Sequence, residues 1–162
     1  MELTVSIGIG QMRVARTPTR LTCLGLGSCV AIAIWDSSSK IGGMAHVMLP
    51  DESFAPKRID SSPAKFGSSA TKALVEEMKR QGANAYMAVA KIAGGANMFR
   101  SVSPDMRDIG LLNSEAVKKS LKQNHVRLIA EDVGGTVGRT VELDTNSGRL
   151  TIKNVRGVIK YI

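Results

Sequence analysis

The feature that most constrains the fold is a series of short apolar segments in the first fifty residues. They are rich in β-branched and small apolar residues and are separated by glycine or polar breaks, a pattern typical of β-strands. The segments are LTVSIGIG, QMRVAR, LTCLGL, SCVAIAIW and KIGGMAHVML. Because they follow one another at short intervals, they predict a β-meander at the start of the chain.

Two helices are expected after this strand-rich region. A polar stretch at 51–61 reads as a surface loop, and Ser62 followed by Pro63 is typical of a helix start. The first helix presents an apolar face and ends at Gly82; the face comprises Phe66, Ala70, Ala73, Leu74 and Met78. The second is expected to begin at Asn113, as its N-cap, and to end near Gln123.

The segments between and after the helices again resemble strands, namely NAYMAVAKIA, VRLIAED, RTVELD and RLTIKNV. The tetrapeptide TNSG joins the last two as a hairpin turn. Strands and helices occur in runs and do not alternate strictly, which favours an α+β protein over a doubly wound one. We therefore predict a single layered domain over 1–162, with mostly antiparallel β-sheet and two main helices.

Length and charge limit the classes of function. The 162 residues contain no N-terminal leader pattern and no apolar run long enough for a membrane span, so a cytoplasmic location is expected. The net charge is +8, but lysines and arginines are scattered and are not interleaved with aromatics. An acidic protein partner is therefore favoured over nucleic acid, although a basic nucleic-acid-binding domain and a simply solvated basic surface stay open.

Several familiar motifs fail. GLGSCV lacks the third glycine of a dinucleotide-binding turn, and GGTVGRT lacks the ending of a phosphate-binding loop. Two histidines and two cysteines show no paired spacing for a metal. No cofactor is expected, and the two cysteines are expected to be free thiols.

One pair of residues remains as a candidate for chemistry, Cys29 and His46. If Ser37 and Ser38 form a two-residue turn, the strands on either side place Cys29 directly opposite His46. An imidazole near a thiol can activate it as a nucleophile and later protonate a leaving amine. The alternative is structural, because a cysteine among Val, Ala and Ile is often a small buried apolar residue.

Five strings, in order, resemble the chemoreceptor glutamine deamidase family, CheD, along nearly the whole chain: GLGSCV, AHVMLPD, AKIAGGANMF, NSEAVKKSLK and AEDVGGTVGRT. The resemblance implies a protein-glutamine glutaminase that converts glutamines of methyl-accepting chemoreceptors to glutamates. It also implies a partner, the phosphatase CheC. In the family the nucleophile is the cysteine of GSC and the base is the histidine of AHVMLP, here Cys29 and His46.

The sequence departs from the family at one position. The family has a threonine six residues before the nucleophile, thought to orient the histidine, and Cys23 stands there. The backbone carbonyl of Cys23 or the hydroxyl of Thr22 are possible replacements, or the site is less active; a structural role for Cys23 is equally open. A non-catalytic module that binds CheC or receptors is the competing hypothesis.

The glycine-rich strings near the proposed nucleophile are candidates for contact with substrate. Gly27 and Ser28 are expected to lie beside it, although Ser28 is also an ordinary polar residue for a strand edge. The pairs Gly94–Gly95 and Gly134–Gly135 are expected to be turns, with a role in walling the cleft as the alternative.

Overall fold

The computed structural model describes residues 2–57, 62–99 and 107–162, and it has ten strands and two α-helices in these ranges. The strands are β1 Leu3–Ser6, β2 Met12–Arg16, β3 Thr19–Leu26, β4 Val30–Asp36, β5 Ile41–Val47, β6 Val89–Gly94, β7 Arg127–Val133, β8 Arg139–Asp144, β9 Leu150–Asn154 and β10 Ile159–Tyr161. The helices are α1 Gly67–Arg80 and α2 Ile109–Gln123. Neither described helix is long and apolar enough to cross a membrane.

The strands form two five-stranded sheets. The outer sheet has the order β1-β3-β8-β9-β10, and the central sheet has the order β2-β5-β4-β6-β7. Only the β1/β3 and β6/β7 pairs are parallel, so the α+β class with mostly antiparallel sheet is confirmed. The predicted β-meander is wrong, because consecutive strands at the start of the chain are divided between the two sheets.

The two sheets and the helices make three layers. One face of the central sheet packs against the helices, with Ile32 and Val47 meeting Leu74 and Val117 in one apolar cluster. The other face packs against the outer sheet through a second cluster that includes Ala31, Met44, Cys23 and Val141. Strand β4 is therefore covered on both faces, which explains why VAIAI is apolar at every position instead of alternating.

The β4–β5 hairpin has a longer loop than the sequence predicts. Asp36 pairs with Ile41 and not with Ser39, so four residues, 37–40, form the connection. The Asp36 carboxylate accepts hydrogen bonds from the Ser38 and Ser39 hydroxyls, at 2.7 and 2.6 Å, and from the Asn84 backbone N–H at 2.8 Å. This buried carboxylate organises the turn. Because the loop has four residues instead of two, the pairing of β4 with β5 is displaced by two residues from the predicted register.

The first helix is largely as predicted. Ser62 and Pro63 do begin helical structure, but this is a short 3₁₀ turn over Pro63–Lys65, and α1 starts at Gly67. A Cβ at Gly67 would lie 2.8 Å from the Ala116 Cβ, so close packing of α1 against α2 requires glycine there. The polar stretch before it is exposed or half-buried over 51–57, while 58–61 lie outside the described residues.

The predicted start of α2 is wrong. The helix begins four residues before Asn113, with Asp108 as its N-cap: the Asp108 carboxylate accepts from the Leu111 N–H at 2.9 Å. Asn113 is fully buried inside the helix. Gly110, a poor helix former, is needed in the first turn because a Cβ there would overlap the backbone oxygens of Gly95 and Ala96.

Candidate active site

Cys29 lies where the chain crosses from the outer sheet to the central sheet. Strand β3 ends at Leu26, after a bulge with Gly25 at φ +62°, and β4 begins at Val30. The thiol is free and half-buried, and it packs against the cluster between the sheets. A sheet-to-sheet crossing therefore brings this side chain to the end of the strands, where it lines a surface groove.

His46 lies on β5 and is 4% exposed. Its Nδ1 is 3.0 Å from the carbonyl oxygen of Ile7. Since a carbonyl can only accept, Nδ1 carries the proton, and Nε2 of the neutral ring is the basic nitrogen. Residues of the β1–β2 connection also hold the main chain of His46, through Gly10 N–H to His46 O at 2.9 Å and His46 N–H to Gln11 O at 3.0 Å.

The predicted register between Cys29 and His46 is wrong, but the shared face is retained. Ala31, not Cys29, lies directly opposite His46, and the ladder between β4 and β5 is regular throughout. The displacement is two residues, an even number, so it does not change the face on which a side chain lies. Cys29, two residues before Ala31, therefore lies on the face that carries Ala31 and His46. Such diagonal neighbours are within reach of a long or aromatic side chain.

Burial sets the protonation of both groups. It raises the pKa of the Cys29 thiol above its usual value. Burial lowers the pKa of His46 below 6.5, and the hydrogen bond to Ile7 acts in the opposite direction. At neutral pH the resting pair is therefore a thiol and a neutral imidazole, and not a thiolate and an imidazolium.

Cys23 does not contact the imidazole by a hydrogen bond. It is fully buried between the sheets, and its Sγ lies 3.4 Å from the Met44 Sδ. Burial, followed by the nearby Cys29, raises the pKa of Cys23 to about 12. Thr22 faces away, since its hydroxyl donates to the Val141 carbonyl at 2.8 Å. The hydrogen bond that orients the His46 ring is thus made by the Ile7 carbonyl, and not by Cys23 or Thr22.

The backbone around Cys29 is held by the segment after β6. The Gly95 N–H donates to the Cys29 carbonyl at 2.8 Å, and the Ala96 N–H donates to the Gly27 carbonyl at 2.9 Å. A Cβ at Gly94, whose φ is +115°, would overlap the Cys29 carbonyl oxygen. The first glycine pair of the sequence therefore does more than turn the chain: it lets β6 and the segment after it approach Cys29.

The second glycine pair supports the first. The Gly134 N–H donates to the Gly94 carbonyl, and the Asn97 N–H donates to the Gly135 carbonyl, at 2.9 and 2.8 Å. The buried Arg139 side chain in turn donates to the carbonyls of Asp132, at 2.6 Å, and Gly134. These contacts hold the segment that forms one wall of the groove.

The groove at Cys29 has a volume of about 250 Å³ and mostly apolar walls. Ser28, predicted to contact substrate, also lines it, and Gly27 lies beneath Met98 with 3.4 Å between its Cβ position and the Met98 Cγ. Several apolar side chains in the walls are substantially exposed, namely Ile9, Met48, Met98 and Phe99. The groove is therefore suited to a peptide segment with apolar side chains.

Asn113 is the residue near the site whose role the sequence analysis missed. Its Nδ2 donates to the backbone carbonyls of Ser28 and Met48, both at 2.9 Å. The signal was present, because Asn113 is in line with Val117 and Leu121 on the buried stripe of α2, where a polar side chain needs a partner.

Within the described ranges, no three His, Cys, Asp or Glu side chains lie close enough together to hold a metal ion. The groove presents the Cys29 thiol, backbone amides and apolar side chains, and the His46 imidazole lies on the same face of the central sheet, on β5. Such a set is suited to nucleophilic and general acid–base chemistry.

Comparison with known proteins defines the family. The family model described as CheD chemotactic sensory transduction matches residues 48–154. The chain is 46% identical over 151 residues to the chemoreceptor glutamine deamidase CheD of Thermotoga maritima, covering 93% of this chain and 92% of that protein. The chain belongs to the CheD family. This confirms the resemblance read from the five sequence strings.

Further relatives extend this likeness. The probable chemoreceptor glutamine deamidase CheD of Archaeoglobus fulgidus is 42% identical, with 94% of each chain covered. Among solved structures, the Bacillus licheniformis hypothetical protein YfiH matches 77% of this chain, with a TM-score of 0.51 and 14% identity. The matched region spans about half the length of YfiH, and at this identity the likeness is one of fold alone.

Proposed function

We propose that this protein is a protein-glutamine deamidase that converts glutamine to glutamate on methyl-accepting chemoreceptors. The observation that carries the proposal is the thiol of Cys29 in a groove at the end of the sheets, with an imidazole on the same face of the central sheet whose Nδ1 is tied to the Ile7 carbonyl. The names of the curated relatives support the same reaction and substrate. Cys29 acts as nucleophile and His46 as base.

The reaction begins from the neutral pair. As Cys29 Sγ attacks the carboxamide carbon, its proton passes to Nε2 of His46, and the carbonyl oxygen becomes an oxyanion. The imidazolium then donates this proton to the leaving nitrogen, the C–N bond breaks, and ammonia departs from a thioester. A water molecule, deprotonated by His46, attacks the thioester; the C–S bond breaks, glutamate forms and the thiol is restored.

The groove provides the contacts for the chain around the target glutamine. Apolar side chains of a receptor helix pack on Met48, Met98 and Phe99, while the carboxamide reaches Cys29 next to Ser28. The net charge of +8 attracts acidic receptor surfaces over long range. The rate of association is therefore expected to fall as ionic strength rises.

Two further parts of the proposal rest on the family. A CheC-type phosphatase is a second partner, and the protein acts in the cytoplasm, where the free cysteines would stay reduced. Direct titration of the protein with a CheC-type phosphatase tests the first part. Fractionation of cells that express the protein tests the second.

The proposal is tested with a cytoplasmic receptor fragment that carries glutamine. We expect ammonia release and a mass gain of about one dalton per modified site, because an amide becomes a carboxyl. Cys29→Ala should abolish both, whereas Cys23→Ala is the matched control at the other, fully buried cysteine. Binding without turnover by the wild-type protein would contradict the enzyme and support a non-catalytic binding module.

A further inference from the structure

The side chain of Asn113 joins the two backbone segments that carry the proposed nucleophile and base. Its Nδ2 donates to the carbonyl of Ser28, the residue before Cys29, and to the carbonyl of Met48, two residues after His46. Asn113 is fully buried, and its Oδ1 has no partner among the described residues. Only the NH₂ group can donate to two carbonyls, so the orientation of the amide is determined.

Asn113 is one of three donors to three consecutive carbonyls. The Ala96 N–H holds the Gly27 carbonyl and the Gly95 N–H holds the Cys29 carbonyl, at 2.9 and 2.8 Å, with the Asn113 contact between them. Each of these oxygens thus has a donor. The planes of the peptides on both sides of Ser28 and Cys29 are therefore held against rotation.

The direction of the Cys29 N–H follows from this arrangement. Thr17–Pro18 is the cis peptide bond of the described chain, and the Ser28–Cys29 bond is trans. In a trans peptide the N–H points opposite to the carbonyl, so the Cys29 N–H points away from the Asn113 amide. No acceptor for this N–H occurs among the residues that the structure describes.

We propose that Asn113 is a positioning residue that holds the Ser28–Cys29 peptide so that the Cys29 N–H can donate to the oxyanion formed during deamidation. The inference rests on the proposed function, because it concerns the same reaction. Without the Asn113 donor, the peptide is free to rotate and the N–H loses its direction. The second hydrogen bond of Asn113, to the Met48 carbonyl, holds the end of β5 at a constant position relative to this peptide.

The test compares Asn113→Asp with the wild-type protein. The aspartate has nearly the same shape but places an oxygen, in place of the NH₂ group, against two carbonyl oxygens. We expect kcat for the receptor fragment to fall about 100-fold, the scale for loss of one oxyanion donor. KM is expected to change less than about threefold, because the interaction is made in the transition state.

A second readout separates positioning from a merely structural role. Alkylation of Cys29 by iodoacetamide displaces iodide and forms no oxyanion, so its rate should stay within about threefold of wild type. Ser120→Ala is the matched control, because Ser120 is another buried polar residue of α2, and it should leave kcat unchanged. If the aspartate variant does not fold, Asn113→Ala replaces it, with the same expected fall in kcat and the same nearly unchanged alkylation rate.

Three results would overturn the inference: an unchanged kcat, a parallel fall of kcat and alkylation rate, or failure of both variants to fold. The last two would assign Asn113 to the fold. Absence of turnover in the wild-type protein would instead refute the proposed function, and the two failures are therefore distinguishable.

Discussion

The buried carboxylate of Asp36 offers a quantitative test of how the hairpin that carries His46 is held. Substitution of Asp36 by asparagine keeps the shape and removes the charge. In the folded protein burial by itself would raise the pKa of Asp36, but hydrogen bonds from Ser39, Asn84 and Ser38 outweigh it and lower the pKa from 3.8 to about 2.

This pKa gives the magnitude. A change from 3.8 to about 2 corresponds to about 2 kcal/mol of stability at neutral pH that depends on the charged form. An asparagine also turns one acceptor into a donor, which would face the Asn84 N–H or a serine hydroxyl. Leaving such a group unpaired adds about 1 kcal/mol. We expect Asp36→Asn to lower the free energy of unfolding by about 3 kcal/mol in total.

The assay is urea denaturation at several pH values. Because the folded pKa lies below the unfolded one, the contribution of the charge is complete above pH 3.8 and is lost as the pH falls toward 2. The difference in the free energy of unfolding between wild type and variant should therefore be largest at neutral pH and should become smaller in acid. Ser37→Ala is the matched control, since Ser37 is an exposed residue of the same turn.

The reasoning would be refuted by a variant within about 0.5 kcal/mol of wild type at neutral pH, the range of ordinary surface substitutions. A gap that stays constant down to about pH 2.5 would refute the part assigned to ionisation, because that part must disappear on protonation.

Three further predictions concern the site. The acid limb of kcat/KM for deamidation should have its midpoint below pH 6.5, because the lowered pKa of His46 keeps the base neutral to lower pH; ammonia release across the pH range measures this. Iodoacetamide at pH 8 should label Cys29 and leave Cys23 intact, because Cys23 is buried and its pKa is about 12; peptide mass spectrometry measures this. Gly94→Ala should cost more than about 2 kcal/mol in urea and reduce activity, because its Cβ would displace the Cys29 carbonyl.

Each of these predictions has a result that contradicts it. A midpoint of the acid limb above pH 6.5 would mean that burial does not control the pKa of His46. Equal labelling of the two cysteines would contradict their assigned environments. For Gly94, the control is Gly157→Ala, which has a similar positive φ but no atom within 4 Å of its Cβ; equal losses in both variants would assign the effect to backbone strain alone.

Local signals in the sequence were sufficient for several elements. The apolar face and the Gly82 end of α1 are confirmed, with Gly82 at φ +101°. The hairpin between β8 and β9 is also confirmed, with Gly148 at φ +74° in the predicted turn. Spacing of apolar residues and glycine chemistry act within one turn or helix, and this is why they are visible in the sequence.

The two errors near the site have a common cause in contacts from distant segments. The hairpin register depends on Asp36, whose carboxylate binds the backbone of Asn84, a residue after α1. The position of Asn113 inside α2 depends on carbonyls of Ser28 and Met48. An asparagine that caps a helix and an asparagine buried within one look the same in the sequence. Only the hydrogen-bond partner of the side chain distinguishes them.

The sequence by itself determined the types of most elements and the family, and it singled out Cys29 and His46 as the candidate pair. The tertiary structure alone decided how the strands are divided between the sheets, that the Ile7 carbonyl binds His46, and that three donors hold the carbonyls from Gly27 to Cys29. The physical reason is that these partners are main-chain groups. Every residue has a carbonyl, every residue except proline has an N–H, and only the fold selects which of them meet.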